Sequence, residues 1–203
     1  MKIAIIGATG NVGSRLVDEA LSRGHRVTAV ARNASRLQPD ANLTFSAADA
    51  ADPEQLARAL AGHDAVISAT PFRLVKPENL IGAVRRSGVR RYLVVGGAGS
   101  LEVAPGLALV DSPGFPALYR EEALAGKALL AALRKVDDLD WTMLSPSALF
   151  TAGTRTGVFR LGRDSLLTAG DGKSWISFED FAVAMLNEVE RPQHIRQRFT
   201  VGY

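Results

Sequence analysis

Lys2 to Gly13 reads KIAIIGATGNVG, and this stretch decides the fold. Lys2 to Ile6 is a short apolar run, β-branched at Ile3, Ile5 and Ile6, and it leads straight into Gly7-Ala8-Thr9-Gly10-Asn11-Val12-Gly13. Val12, Leu16, Ala20 and Leu21 then recur at helical spacing until Gly24, and a second apolar run, Val27 to Ala31, closes at Arg32. Strand, glycine turn, helix and strand in that order make one βαβ unit, with the glycines at the passage from strand to helix.

Each glycine has a physical task. Gly7 lets the backbone turn sharply off the strand, Gly10 lets the main chain approach a ligand, and Gly13 lets the helix pack closely on the sheet. The first N–H groups of the helix lack intrahelical partners, and the helix dipole favours negative charge there. The pattern therefore predicts a dinucleotide site built on Gly7, Thr9, Gly10, Asn11, Val12 and Gly13. The second strand ends Ala31-Arg32-Asn33 with no acid for a ribose 2′-hydroxyl. A guanidinium there suits a 2′-phosphate, with Arg36 close enough to help, so NADP(H) is expected in preference to NAD(H).

Composition narrows the remaining classes. The 203 residues suit one domain spanning 1–203, and 47% apolar content is enough for a sizeable core. Without cysteine there is neither a disulfide nor a thiol nucleophile, which suits a cytoplasmic setting, and His25, His63 and His194 are too scattered to suggest a metal site. The charge of +3 is mixed along the chain, so no nucleic acid partner is expected. No apolar run approaches the ~20 residues that span a bilayer, so no membrane partner is expected either.

Alternating strands and helices continue. A short helical piece around Ala34 to Leu37 precedes a third strand, Leu43 to Ala47. Asp49 reads equally as an adenine contact or as a polar loop residue. Asp52 is a good N-cap, with Pro53 at the first helical position. A fourth strand, Asp64 to Ala69, ends in Ala69-Thr70-Pro71, small residues past which a cofactor can run. After a helix from Glu78 to Arg86, the fifth strand emerges into Gly96-Gly97-Ala98-Gly99-Ser100, expected at the nicotinamide end. Residues 101–118, with three prolines, read as a long loop forming a wall of the substrate pocket. A helix from about Pro116 to Val136 is expected to turn Ala125, Ala128, Leu129, Ala132, Leu133 and Val136 to the sheet. A sixth strand, Leu139 to Leu144, ends at Ser145 and Pro146, counted with the cofactor contacts. Residues 147–176 read as a small substrate lobe, followed by a helix capped at Ser177 and a terminal strand from Gln197 to Val201. The whole is a doubly wound, Rossmann-type α/β fold with a mostly parallel sheet and helices on both faces.

In its motifs GATGNVG (7–13), VVGGAGSL (94–101), DWTMLSP (140–146), RTG and WISFEDFA, the chain resembles the atypical short-chain dehydrogenase/reductases, in particular the NmrA-like, NAD(P)H-binding proteins described as NADH-flavin reductases, and more distantly the biliverdin reductase B group. The resemblance implies a cytoplasmic reductase binding NADP(H). The larger family commonly pairs a tyrosine acid with a lysine four residues on. Here the tyrosines are 92, 119 and 203, and none has that lysine. Tyr119 and Lys127 lie eight apart on one helix and do not form the usual couple.

Alcohol–ketone chemistry by that route is therefore not expected, whereas a flavin or quinone removes the difficulty, because position and exclusion of solvent suffice for direct hydride transfer. Flavin is then a substrate rather than a tightly bound cofactor. The candidates for the chemistry are Ser100 as a hydrogen-bond donor, Tyr119, and Lys127 toward the ribose hydroxyls; Phe115, Tyr119 and Phe150 are candidate stacking walls. A redox sensor that binds NADP(H) without turnover and signals to a protein partner is the alternative, and a transient use of the cofactor in isomerisation or epimerisation is a third. The expected ligand is a small-molecule acceptor, and a monomer and a homodimer are both compatible with the chain.

Overall fold

The computed structural model describes residues 1–33 and 37–203. The helical piece expected around Ala34, and Arg36, lie outside the described residues. Strand β1 (Lys2–Ile6) passes through Gly7 into helix α1 (Asn11–Ser22), followed by β2 (Arg26–Ala31) and β3 (Leu43–Ala47). Next come α2 (Pro53–Leu60), β4 (Ala65–Ser68), α3 (Pro77–Ser87) and β5 (Arg91–Val95). Two short strands, β6 (Glu102–Ala104) and β7 (Leu107–Ala108), precede α4 (Ala117–Leu133) and β8 (Asp140–Pro146). The chain continues through β9 (Leu149–Thr151), β10 (Arg160–Gly162), β11 (Trp175–Ser177), α5 (Phe178–Glu190) and β12 (Gln197–Gly202).

Among the described residues eight strands form one sheet in the order β10-β12-β8-β5-β4-β1-β2-β3. Every neighbouring pair is parallel except β10 with β12. The chain winds outward in one direction from β1 to β3 and in the other from β4 onward, so the order reverses between β1 and β4, where an open sheet of this kind leaves a crevice at its carboxyl edge.

Alternate side chains of each strand enter two cores. On one face Ile3, Ile5, Leu93, Leu144 and Phe199 meet α1 and α5 through Leu16, Val17, Phe181 and Met185. On the other, Ile6, Val66, Tyr92, Val94 and Met143 meet α2, α3 and α4 through Leu56, Leu80 and Leu129. The central strands β1, β4, β5 and β8 are buried on both sides, which is why they read as continuous apolar runs.

Local chemistry fixes the helix ends. The Asp52 carboxylate accepts from the N–H groups of Glu54 and Gln55, at 3.1 and 3.0 Å, with Pro53 next in line. Ser177 accepts from Asp180 N–H at 3.0 Å to start α5. Gly88, at φ +77°, stops α3 in the left-handed conformation that glycine adopts freely.

Two expectations are corrected. Of the face expected for α4, Leu129, Leu133 and, just past the helix, Val136 are buried, but Ala128 is exposed, and Gly126 and Leu130 are buried as well. The reason is tertiary, because the Phe72 ring occupies the space above Gly126. Residues 101–118 are not a plain loop; they hold the β6–β7 hairpin and a 3-10 turn at Leu109–Asp111. Residues 147–176 contribute short strands: β10 extends the main sheet through β12, and β9 pairs with β11 beside it.

Candidate functional site

Two clefts open along the carboxyl edge of the sheet. The first, of about 420 Å³, lies over the β1–β4 reversal. Gly7, Thr9 and Gly10 form its floor, Ala69, Thr70 and Pro71 one side, and Arg32 and Asp49 the far end. The sequence brings these together because each follows the end of one of the strands β1 to β4. Gly7 stands at φ +77°, and a Cβ there would lie 2.6 Å from the Ala69 carbonyl oxygen. The Gly7 carbonyl accepts from Gly10 N–H at 3.0 Å, tightening the turn.

The remaining residues of the glycine loop serve the helix. A Cβ on Gly13 would come 2.1 Å from the Gly7 carbonyl oxygen, so only glycine lets α1 sit this close. Val12 packs on the core beneath α1. Asn11 opens the helix, where no side chain caps it; the N-cap position is Gly10. Helices α2 and α5, by contrast, are capped by Asp52 and Ser177. An uncapped, glycine-floored helix start fits the diphosphate of a dinucleotide in both space and donor chemistry. Asp49 borders the cleft with its carboxylate partly engaged, accepting from Ala51 N–H at 2.9 Å.

The second cleft, of about 480 Å³, lies beyond β5. Gly97 and Gly99 line it from the β5 exit, Phe115 and Tyr119 from the start of α4, Phe72 from the turn after β4, and Ala148 from the end of β8. The turn from Pro71 to Val75 stands between the clefts: Pro71, Leu74 and Val75 face the first, Phe72 the second.

The other expected site residues stand elsewhere. Ser100 lines neither cleft; its hydroxyl accepts from the Arg198 guanidinium at 3.3 Å, and Arg198 also pairs with Asp164 at 2.9 Å. Lys127 lines neither cleft and donates to Asp111 at 2.6 Å on the surface. Ser145 and Pro146 are buried in β8. The Ser145 hydroxyl has no hydrogen-bond partner among the described residues, and a Cβ on Gly96 would lie 3.0 Å from it. Phe150, expected as a stacking wall, is instead tied into the core, 4.7 Å from the Phe178 ring and 4.8 Å from that of Phe181. Of the three residues proposed for the chemistry, Tyr119 alone borders a cleft, with its side chain largely exposed.

Sequence reasoning stopped at Pro71 and missed Phe72 and Glu122. The Glu122 carboxylate accepts from the N–H groups of Phe72 and Arg73, at 2.7 and 3.2 Å, and holds the dividing turn against α4. An aromatic residue directly after the Ala-Thr-Pro strand exit was the available signal.

Sheet order, glycine loop and carboxyl-edge clefts together define a Rossmann-type, dinucleotide-binding class of protein. The chain belongs to the NAD(P)H-binding family, whose model matches residues 7–192. It is similar to YwnB of Bacillus subtilis (strain 168), an uncharacterized protein, with 39% identity over 211 residues covering 99% of this chain and 98% of that one. A solved structure from Bacteroides thetaiotaomicron, provisionally named an epimerase, is 40% identical with a TM-score of 0.95 and covers 100% of this chain and 96% of its own. Another from Streptococcus pneumoniae TIGR4, provisionally named an NADH-flavin reductase, is 35% identical with a TM-score of 0.88 and covers 100% and 99%. These names diverge while the fold does not, so the activity has to be argued from the site.

Proposed function

We propose that the protein is an NADPH-dependent reductase that passes hydride directly to a flat, conjugated acceptor, a flavin or a quinone, with the flavin visiting as a substrate. One observation carries this reading: a glycine-floored nucleotide cleft and an apolar cleft with aromatic walls share the Pro71–Val75 turn. Neighbouring clefts of this kind bring two flat ring systems together and keep water from between them.

A bound nicotinamide nucleotide supplies the hydride. The chain supplies position and surroundings. Gly7, Gly10 and the start of α1 receive the diphosphate, and Arg32 pairs with the 2′-phosphate. Gly97 lets rings approach the end of β5 closely, while Phe72, Phe115 and Tyr119 flank the acceptor. In balance, NADPH, oxidised acceptor and one proton yield NADP⁺ and the acceptor reduced by two electrons. The open mouth of the second cleft lets solvent deliver that proton, so no strong acid is needed and the absence of a tyrosine–lysine couple is no obstacle.

The test is steady-state oxidation of NADPH, followed by loss of its absorbance, with FMN, FAD, riboflavin and a panel of quinones, and with NADH in parallel. Acceptor-dependent turnover well above the uncatalysed rate, faster with NADPH, supports the reductase. Tight NADPH binding by calorimetry with no turnover on any acceptor replaces it with the non-catalytic sensor.

A further inference from the structure

We infer that Phe72 determines which acceptors the second cleft admits and that Gly126, packed against the edge of its ring, determines where Phe72 stands; this rests on reading that cleft as the acceptor site. The ring lies in a notch that two glycines keep open. A Cβ on Gly126 would come 2.8 Å from Phe72 Cε2 and 2.9 Å from Cδ2, and one on Gly97 would come 3.2 Å from Cε2. Phe72 also lines the cleft that Phe115 and Tyr119 share.

The main chain beneath Phe72 is held firmly. Its N–H donates to Glu122 at 2.7 Å. The next residue, Arg73, donates to Glu122 from its own N–H and from Nε, both at 3.2 Å, and to Glu121 from Nη1 at 3.1 Å. Pro71 precedes them with its φ fixed by the ring at −57°. A methyl group placed on Gly126 cannot move this backbone easily, so the ring must swing into the cleft. Restoring ordinary carbon–carbon separation requires a shift of about 1 Å. A planar acceptor needs van der Waals clearance on both faces, and a shift of that size removes it for a three-ring system before it does so for a single ring.

Gly126 lines neither cleft, and alanine within a helix is intrinsically more favourable than glycine, so Gly126→Ala reaches the acceptor through its contact with Phe72. The experiment compares the wild type with Gly126→Ala, Phe72→Ala and the double variant Gly126→Ala/Phe72→Leu. It reads KM for FMN, riboflavin and a one-ring quinone, NADPH affinity by calorimetry, riboflavin binding by quenching of its fluorescence, and folding by circular dichroism. Gly126→Ala is expected to raise KM for the flavins roughly tenfold or more, the usual scale for one misplaced methyl group in a pocket. The one-ring quinone and NADPH should be little affected. The double variant should recover most of the loss, and Phe72→Ala should shift preference toward bulkier acceptors.

Unchanged flavin selectivity in a folded Gly126→Ala, or equal losses for every ligand without rescue in the double variant, overturns the inference and leaves the reductase reading standing. A wild type without turnover, whose riboflavin binding Gly126→Ala still weakens, keeps the gate and removes the reductase. A wild type that binds no planar ligand overturns both.

Discussion

Arg155 closes on Glu19 with two hydrogen bonds, from Nε at 2.7 Å and Nη2 at 2.9 Å, across 136 residues of chain. Glu19 is only 5% exposed and also accepts from Arg23 Nε at 2.8 Å. The loop after β9 is thereby pinned to the first helix. The Arg155 hydrogen bond, helped by that from Arg23, holds the Glu19 carboxyl below its ordinary range against the opposing effect of burial. A carboxyl lowered on folding adds stability above its unfolded pKa of about 4.3, and that stability is lost as pH falls through the folded value. Glu19→Gln should therefore destabilise the fold by roughly 1–3 kcal/mol near neutral pH, as expected for hydrogen bonds to a charged group. The gap between variant and wild type should narrow in urea melts taken below about pH 4. A gap of constant size across that range would show that the charge is not what holds the loop.

The glycines of the first turn should separate binding from folding. Gly13→Ala places a Cβ 2.1 Å from the Gly7 carbonyl oxygen and should lower the melting temperature sharply. Gly10→Ala places its Cβ 3.3 Å from the same oxygen at an ordinary φ of −77°, so it should fold nearly normally. Its methyl group then stands where the diphosphate is expected, and calorimetry should show NADPH binding weakened by roughly tenfold or more. Normal NADPH affinity in Gly10→Ala would move the diphosphate away from this loop.

Among the described residues, Arg32 is the one cation that lines the first cleft. Arg32→Asp should weaken NADPH roughly tenfold or more, the scale of a lost charge-assisted pair, and spare NADH. Equal affinity of the unaltered protein for the two nucleotides would count against a 2′-phosphate contact.

Ser100→Ala and Lys127→Ala bear on the chemistry. Both side chains are engaged outside the clefts, with Arg198 and Asp111 respectively. Turnover with a saturating acceptor should change by less than about threefold, far below the roughly hundredfold or greater effect of removing a general acid or base. A hundredfold fall in either variant with NADPH affinity intact would bring that residue back into the reaction.

The parts legible in the sequence are those fixed by neighbours along the chain. Strand β1 and its glycine turn, and the Asp52 cap with Pro53, rest on local chemistry and appear where expected. Gly7, Thr9, Gly10, Arg32, Asp49 and Ala69 to Pro71 converge because strand ends in a parallel sheet share one edge. What was not legible depends on contacts distant in sequence. The buried face of α4 follows from Phe72, some fifty residues earlier, lying over Gly126. The direction of Ser100 follows from Arg198 on β12, and Phe150 is drawn inward by Phe178 and Phe181. Helical spacing shows that a face exists, but not which partner extends it.

The position of β12 between β8 and β10 has a consequence for how the chain is made. Synthesis delivers β10 to a growing sheet that has no place for it, since β12 is its neighbour there and is made some thirty-five residues later. Until β12 emerges, β8 presents an open edge with its backbone donors and acceptors unpaired, the kind of edge that invites a strand from another molecule. The ribosome-bound protein therefore has an aggregation-prone interval between completion of β8 and arrival of residues 197–202, and slow elongation through that interval is the circumstance in which a holding chaperone would raise the yield most.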